Sequence, residues 1–214
     1  MSVHLLRRLP DPWRKIVDWV FTVALAIGFV LAFEAKVAKP YRIPSASMEN
    51  TLHCARPAAG CLGSTSDRVL VNRLAYDFSS PQRGQIVVFH APVGANRCGG
   101  DDAGTTFVKR LIGLPGERVR EDEKGFIWIQ RPGVRTWTKL AEPYLSPAAR
   151  LADTARDGGH TWHVPKGGYF MLGDNRASSC DSRTWGSVPR SSLIGPVIFT
   201  YWPPTRISYH AGGW

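Results

Sequence analysis

The chain lacks the marks of a nucleic-acid-binding protein, although its formal net charge is +10 over 214 residues. No run of five or more basic residues occurs, and no zinc-finger or basic-helix spacing is present. Charged residues make up only 21% of the chain and hydrophobic residues 43%, which excludes disorder as its main state. A basic balance also suits a protein that lies against anionic lipid headgroups. Charge alone does not choose between these partners, and together with the apolar run described below it leads us to expect membrane lipid and no nucleic acid.

Long helical periodicity is missing after residue 34, and no internal repeat is present. Sixteen prolines and 21 glycines argue against a helix bundle and for many turns. Short β-type runs between turn residues predict antiparallel strands at 68–74, 84–90, 106–114, 125–131, 167–175 and 194–202. Residues 91–105 are expected to form a loop, and residues 141–165 a loop or insertion. The sequence thus predicts a mainly β, all-antiparallel domain.

One long apolar run stands apart from this pattern. Residues 16–33 contain a single charge, Asp18, and as a helix they would be about 27 Å long, close to the roughly 30 Å of a bilayer core. Trp13 and Trp19 lie where interfacial aromatic residues are expected. A cleaved signal peptide and a buried core helix are the alternatives. Against cleavage, the Ala-x-Ala sequence at 24–26 lies inside the run rather than after it.

These features predict a single N-terminal transmembrane helix over residues 16–34. Residues 1–15 are then a cytoplasmic segment, and residues 35–214 an extracytoplasmic domain. Charge supports this orientation only slightly, because basic residues flank the run on both sides.

Cysteine is scarce, and its spacing does not suit zinc. The four cysteines lack any Cys-x-x-Cys spacing, and their even number favours disulfides outside the cytosol over a metal site. Cys54 and Cys61 are near enough in sequence for a small loop, which would leave Cys98 with Cys180. Three pairings are possible, and four free buried thiols are the alternative.

The common catalytic and cofactor motifs are also absent. The chain has no Gly-x-Ser-x-Gly elbow, no His-Glu-x-x-His helix, no Gly-x-Gly-x-x-Gly and no Walker-type loop. A Ser-His-Asp triad would need His53, His90, His160 or His163, and none of these lies in a recognisable catalytic setting. We expect no metal and no organic cofactor, because the residues considered next would do the chemistry unaided.

Lys109 is the unusual residue, because it interrupts the apolar run of 106–114. In a strand of period two, either Lys109 or Arg110 must face inward among apolar neighbours. Burial of an amine lowers its pKa by up to about 3–5 units, and a lysine that is neutral near pH 7–9 can act as a general base. A lysine on an edge strand that reaches water is the alternative.

Three segments place Lys109 in a wider pattern: 43–52 (IPSASMENTL), 107–117 (FVKRLIGLPGE) and 173–186 (GDNRASSCDSRTWG). In this order they resemble the motifs of bacterial type I signal peptidases, the membrane-anchored Ser-Lys endopeptidases that remove signal peptides from exported preproteins. Residues 84–89 resemble a further strand of that family. The resemblance implies a partly barrel-like catalytic domain behind the transmembrane helix.

The resemblance also implies roles for individual residues. Ser47 matches the nucleophile and Lys109 the general base. Ser179 matches the hydroxyl that orients the lysine, and the Ser45 side chain, with the backbone N–H of Ser47, matches the oxyanion hole. Asp181 and Arg183 match a structural ion pair. The chain departs from the family at Ala46, where many relatives have glycine, and at 177–178, where Asp-Asn is frequent.

Substrate binding is expected around the serine. Apolar side chains that could line shallow pockets for small residues are Tyr41, Ile43, Met48, Phe107 and Val108. The resemblance implies cleavage after Ala-x-Ala-like sites of preprotein signal peptides, through an acyl-enzyme. The fourteen residues from Phe33 to Ser47 span at most about 46–50 Å, so the serine stays near the membrane.

The expected location is therefore the bacterial plasma membrane, with no obligatory protein partner. Organellar processing peptidases are close alternatives for the origin of the chain. A self-cleaving Ser-Lys repressor would need a DNA-binding region where the apolar run lies. A catalytically inactive anchored domain that binds exported proteins would have no need for the serine and the lysine.

Overall fold

A long helix and two antiparallel sheets make up the computed structural model, which describes residues 11–92, 94–98, 105–151 and 159–210. Helix α1 (Asp11–Lys36) contains the predicted span. Its segment Pro12–Glu34 is long and apolar enough to cross a membrane, and none of that segment is buried in the protein. The helix begins before residue 16 because Pro12 suits a first helical turn. The predicted segment 1–15 lies largely outside the described residues.

After α1, the described residues form twelve strands and three short α-helices. The helices are α2 (Ala75–Phe78), α3 (Pro147–Leu151) and α4 (Ser182–Trp185). The strands are β1 (Ala38–Arg42), β2 (Arg68–Asn72), β3 (Ile86–His90), β4 (Thr106–Gly113), β5 (Arg118–Glu121), β6 (Ile127–Gln130), β7 (Thr138–Lys139), β8 (Thr161–His163), β9 (Gly168–Leu172), β10 (Val188–Pro189), β11 (Leu193–Trp202) and β12 (Ser208–Tyr209).

The larger sheet has the order β1-β2-β11-β3-β4-β9-β10, with β12 beside β11, and the smaller sheet has the order β7-β6-β5-β8. All these strand pairs are antiparallel. Strand β11 joins the two halves of the larger sheet, pairing with β2 through one part of its length and with β3 through the other. Register shifts along β11 bend the sheet, as bulges do, and give it a half-barrel form. The predicted mainly β, partly barrel-like fold is confirmed.

The six predicted strands are all present, with ends within two or three residues of the predicted ones. The expectation that 141–165 forms only a loop or insertion is wrong in part. Helix α3 and strand β8 lie within it, and β8 pairs with β5 through residues 161–163. Glu142 is buried there and forms ion pairs with Arg176 and Arg150. Residues 152–158 lie outside the described part.

Apolar residues cover both faces of β4. Val108 contacts a core cluster under β2 and β3, Leu111 lies in a second cluster with Met171, and Ile112 lies in a third between the two sheets. The expectation that one of Lys109 and Arg110 would face inward was therefore too narrow. Both side chains are buried, because the half-barrel and the smaller sheet enclose the strand from both sides.

Candidate active site

Ser47 lies in a single turn of 3-10 helix, Ala46–Met48, that follows β1. Ser45 is extended immediately before the turn, and its Oγ lies 3.4 Å from the Ser47 Oγ. Ser47 is the second residue of the turn, and the N–H of such a residue has no acceptor within the helix. The Ser47 N–H and the Ser45 hydroxyl are therefore two hydrogen-bond donors beside the Ser47 hydroxyl.

The segment 173–175 holds this turn from behind. The side-chain Nδ2 of Asn175 donates to the Ala46 carbonyl at 3.0 Å, and the Asn175 backbone N–H donates to the Ser47 carbonyl at 3.0 Å. A Cβ at Gly173 would lie 2.5 Å from the Ser47 carbonyl oxygen and would also clash with Ser179. Only glycine therefore allows this approach.

Lys109 lies on β4 opposite Val87 of β3, and only 2% of its surface is exposed. Burial removes water from the ammonium and lowers the pKa of Lys109 to about 8. The charges of Asp181 and Asp174 act in the opposite direction, and that of Arg183 acts with burial. The expectation of a buried amine with a lowered pKa is confirmed in direction.

The two nearby carboxylates fail to offset burial because each already has a guanidinium partner. Asp174 accepts from Arg110, with Nε at 2.8 Å from Oδ1. Asp181 accepts from Arg183 Nε at 2.9 Å, so the expected ion pair of these two residues is present. Burial alone would raise the pKa of Asp181, but the charge and hydrogen bonds of Arg183 lower it instead.

Ser179 follows a short 3-10 turn and is buried, with 2% of its surface exposed. Its Oγ has no hydrogen-bond partner within the described chain. Because both Ser179 and the Ser47 carbonyl crowd the Cβ position of Gly173, the two serines lie close together beside that glycine. A buried hydroxyl without a partner is costly unless another group uses it.

The dyad hydrogen bond itself is not formed. Among the described residues, neither Ser47 nor Ser179 accepts a hydrogen bond from the Lys109 amine, which lies 5.9 Å from the centroid of the Phe107 ring. The structure thus brings Ser45 and Ser47 together. It places Lys109 on β4, without a hydrogen bond to Ser45 or Ser47.

A cavity of about 180 Å³ opens beside Ser47. It lies between the segment that leads from β1 into the 3-10 turn and the first residues of β4. All five predicted substrate-binding residues line it, together with six others, giving the set Tyr41, Arg42, Ile43, Pro44, Ser45, Ser47, Met48, Thr105, Thr106, Phe107 and Val108. The volume suits small side chains.

A disulfide loop supports the turn from another side. Cys54 and Cys61 are bonded, as predicted, with their Cα atoms 5.1 Å apart. The Glu49 carboxylate accepts from the backbone N–H groups of Cys54 and Leu62, each at 3.0 Å. Glu49, Cys54 and Cys61 have the spacing of a metal site, but sulfur atoms in a disulfide are not thiolate ligands.

The second predicted disulfide is only partly described. Cys180 is disulfide-bonded, whereas the side chain of Cys98 lies outside the described part of the chain. Sequence reasoning missed the roles of Asn175 and Gly173, although both belong to the motif 173–186. It also missed Arg42, which directly precedes the motif 43–52.

The fold and the site define a class: a mainly β protein behind one apolar helix, with a serine in a tight turn beside a cavity and a buried lysine on the adjoining strand. Residues 16–202 match the family model described as signal peptidase, peptidase S26, and the chain belongs to that family. Membership supports cleavage of signal peptides by a serine peptidase, and the apolar helix is consistent with membrane association.

Similar proteins cover most of the chain. It is 34% identical over 199 residues to a probable signal peptidase I-1 of Synechocystis, covering 92% of this chain and 88% of that protein. It is 32% identical to signal peptidase I of Mycobacterium tuberculosis (92% and 76%) and 28% identical to signal peptidase IB of Staphylococcus aureus (92% and 95%). The signal peptidase I from Enterococcus faecalis, known from a crystal structure, is 34% identical to this chain. The structural match covers 56% of this chain and 97% of the Enterococcus chain, with a TM-score of 0.43.

Proposed function

We propose that this chain is a membrane-anchored signal peptidase I that cleaves preproteins after Ala-x-Ala-like sequences, with Ser47 as nucleophile and Lys109 as general base. The observation that carries the proposal is the burial of Lys109 without an ion-pair partner in the described chain, in a protein of this family. An amine with a pKa of about 8 is partly neutral at physiological pH and can accept a proton.

In the proposed acylation step, the Lys109 amine takes the proton from the Ser47 hydroxyl as Oγ attacks the carbonyl carbon. The negative oxygen that forms is held by the Ser47 N–H and the Ser45 hydroxyl, and one such donor is typically worth about 3–4 kcal/mol. When the C–N bond breaks, the Lys109 ammonium returns its proton to the leaving amine. Water activated by the same amine then hydrolyses the ester.

This chemistry requires the Lys109 amine to reach the Ser47 hydroxyl. Catalytic hydrogen bonds are often long without substrate and tighten in the complex. The buried Ser179 hydroxyl supports the proposal, because it is a polar group available to direct the lysine amine. Asp181 and Arg183 then support the site structurally.

The substrate is proposed to bind as an extended strand. Strand β1 is the edge of the larger sheet, and β4 pairs with β9 only from Arg110 onward, so both walls of the cavity have an unpaired backbone edge. A peptide between them gains main-chain hydrogen bonds as an added strand does. Its alternate side chains at P1 and P3 then enter the cavity formed by Tyr41, Ile43, Met48, Phe107 and Val108. A cavity of about 180 Å³ favours small residues there.

The position of helix α1 in the membrane determines where the peptidase meets its substrate. We propose that α1 crosses the bacterial plasma membrane once, with residues 1–15 in the cytoplasm and residues 35–214 outside it. The Cys54–Cys61 disulfide supports this orientation, because disulfides persist in oxidising compartments. Preproteins whose apolar signal segments remain in the membrane would present their cleavage sites close to Ser47. Neither a cofactor nor an obligatory protein partner is part of the proposal.

The test uses the detergent-solubilised full-length chain and a preprotein with an Ala-x-Ala site. We expect processing by the wild type and a loss of at least about a thousandfold for Ser47→Ala and for Lys109→Ala, as for other nucleophile and base removals. Ser178→Ala, at an exposed serine near the site, is the control. Equal processing by the wild type and both variants would overturn the proposal.

A further inference from the structure

Among the described residues that line the cavity beside Ser47, Arg42 is the one that carries a charge. The other ten lining residues are apolar side chains, serines, threonines, a proline and a tyrosine. Arg42 is exposed, and within the described part of the chain it forms no ion pair. The described lining of the cavity therefore includes one residue whose side chain carries five donors and a fixed positive charge.

The residue that faces Arg42 in the sheet is also an arginine. Arg42 lies directly opposite Arg68 in the ladder between β1 and β2, and like charges in such positions repel. Arg68 is directed elsewhere, because its guanidinium lies over the Trp202 ring, 5.9 Å from the centroid. Arg42 therefore lines the cavity, whereas Arg68 does not.

Strand alternation relates Arg42 to particular substrate positions. Tyr41 and Ile43 pack against the core cluster under β2 and β3, so Arg42 between them projects from the other side of the backbone. A substrate strand beside β1 has the same alternation. When its P1 and P3 side chains occupy the apolar side with Ile43, its P2 side chain is on the side of Arg42.

We propose that Arg42 forms a subsite for an acidic substrate side chain, so that this peptidase prefers Asp or Glu at P2 of the Ala-x-Ala site. The preference rests on the proposed function and adds a charge requirement to it. A carboxylate at P2 pairs with the Arg42 guanidinium, whereas an ammonium there is repelled by both Arg42 and the nearby Arg68.

The test measures kcat/KM for three peptides that differ only at P2: Ala-Glu-Ala, Ala-Gln-Ala and Ala-Lys-Ala. At low ionic strength we expect Glu to exceed Lys by about tenfold in the wild type, which is the size of an exposed attraction and repulsion combined. Near 1 M salt the Debye length is about 3 Å and the ratio should approach one. Arg42→Gln should remove most of the preference, and Arg42→Glu should reverse it.

Arg68→Gln is the matched control, since it removes the same charge one strand away without altering the cavity lining. We expect it to keep the Glu-to-Lys ratio within about twofold of the wild type, as for a screened, exposed charge. A wild-type ratio near one, a ratio unchanged by Arg42→Gln, or an equal effect of Arg68→Gln would overturn the subsite. Failure to cleave even the Ala-Gln-Ala peptide would overturn the proposed function, and the subsite with it.

Discussion

The cavity beside Ser47 and the layer beneath it differ in the number of charged residues and in whether those residues are paired. In the described lining of the cavity, Arg42 is the one charged residue. The layer beneath, which we call the charged layer, consists of Arg110, Glu142, Asp174, Arg176, Asp181 and Arg183, all linked in ion pairs. Lys109 lies between the two regions.

The residues of the charged layer form ion pairs with one another, whereas Lys109 has no ion-pair partner within the described chain. Each buried carboxylate in the described chain other than Glu49, which lies against His53, has an arginine partner, and this includes the two whose charges act on Lys109. A carboxylate already neutralised by a guanidinium does little to hold a second cation. Burial therefore dominates, and the pKa of Lys109 falls to about 8. A lysine close to several charged residues can therefore still have a lowered pKa.

Removal of the Arg183 guanidinium should disturb this difference between Lys109 and the charged layer more than any other change considered. Arg183→Met leaves Asp181 buried without its partner, which should cost about 3–5 kcal/mol of unfolding free energy. The free carboxylate would then stabilise the Lys109 ammonium and raise the pKa of Lys109. We expect the midpoint of the kcat/KM profile to move to higher pH, measured alongside urea unfolding.

Arg135→Met is the control for this variant, because Arg135 is exposed on the loop before β7. It should alter neither stability nor the pH midpoint appreciably. A midpoint that stays in place in Arg183→Met would show that the pairing of Asp181 does not govern Lys109.

Replacing the lysine should have the opposite effect on stability. Because the pKa of Lys109 is lower in the folded state than its usual value of roughly 10.4, the unfolded chain binds more protons between those two pH values. Folding stability of the wild type should therefore rise with pH through that window. Lys109→Met should be more stable than the wild type at pH 7 by about 1–3 kcal/mol, while being inactive.

This gain should shrink as the pH approaches 10.4 and the unfolded-state lysine also loses its proton. Denaturant unfolding at pH 7 and pH 10 would check it. A Lys109→Met variant that is less stable than the wild type at pH 7 would mean that the amine is well solvated or well paired.

Ser179→Ala should have the smallest effect on stability and still reduce activity. Its hydroxyl has no partner within the described chain, so removing it should change the unfolding free energy by about 0–1 kcal/mol. If the hydroxyl directs the Lys109 amine, kcat/KM should fall at least about tenfold, the low end of a general-base contribution. Ser178→Ala, one residue earlier and exposed, should retain activity. Equal activities of the two variants would assign the orienting role elsewhere.

Much of the larger sheet could be predicted because its strands are long apolar runs between turn residues. The smaller elements could not. Strands β7, β10 and β12 have two residues each, too few for a period to be visible. Strand β8 lies within the polar segment 141–165, and it forms through pairing with β5 rather than through a pattern in its own sequence.

Ser47 and Lys109 could be selected from the sequence, because the proposed chemistry depends on the type of each of these residues. The site was not predictable where the structure combines distant segments. Asn175 contacts the serine turn across about 130 positions of sequence, and nothing in its own composition indicates that contact. The importance of Arg42 depends on Arg68 and Trp202, whose positions only the folded sheet defines.

The central claim is that Lys109 loses its proton far more easily than an ordinary lysine. An NMR titration of the Lys109 side chain tests it directly, with lysine labelled at Cε and Lys109→Met used to assign the signal. The midpoint should lie at a pH of about 8, the value to which burial lowers the pKa of Lys109. A midpoint near 10.4, the usual value for exposed lysine, would contradict it.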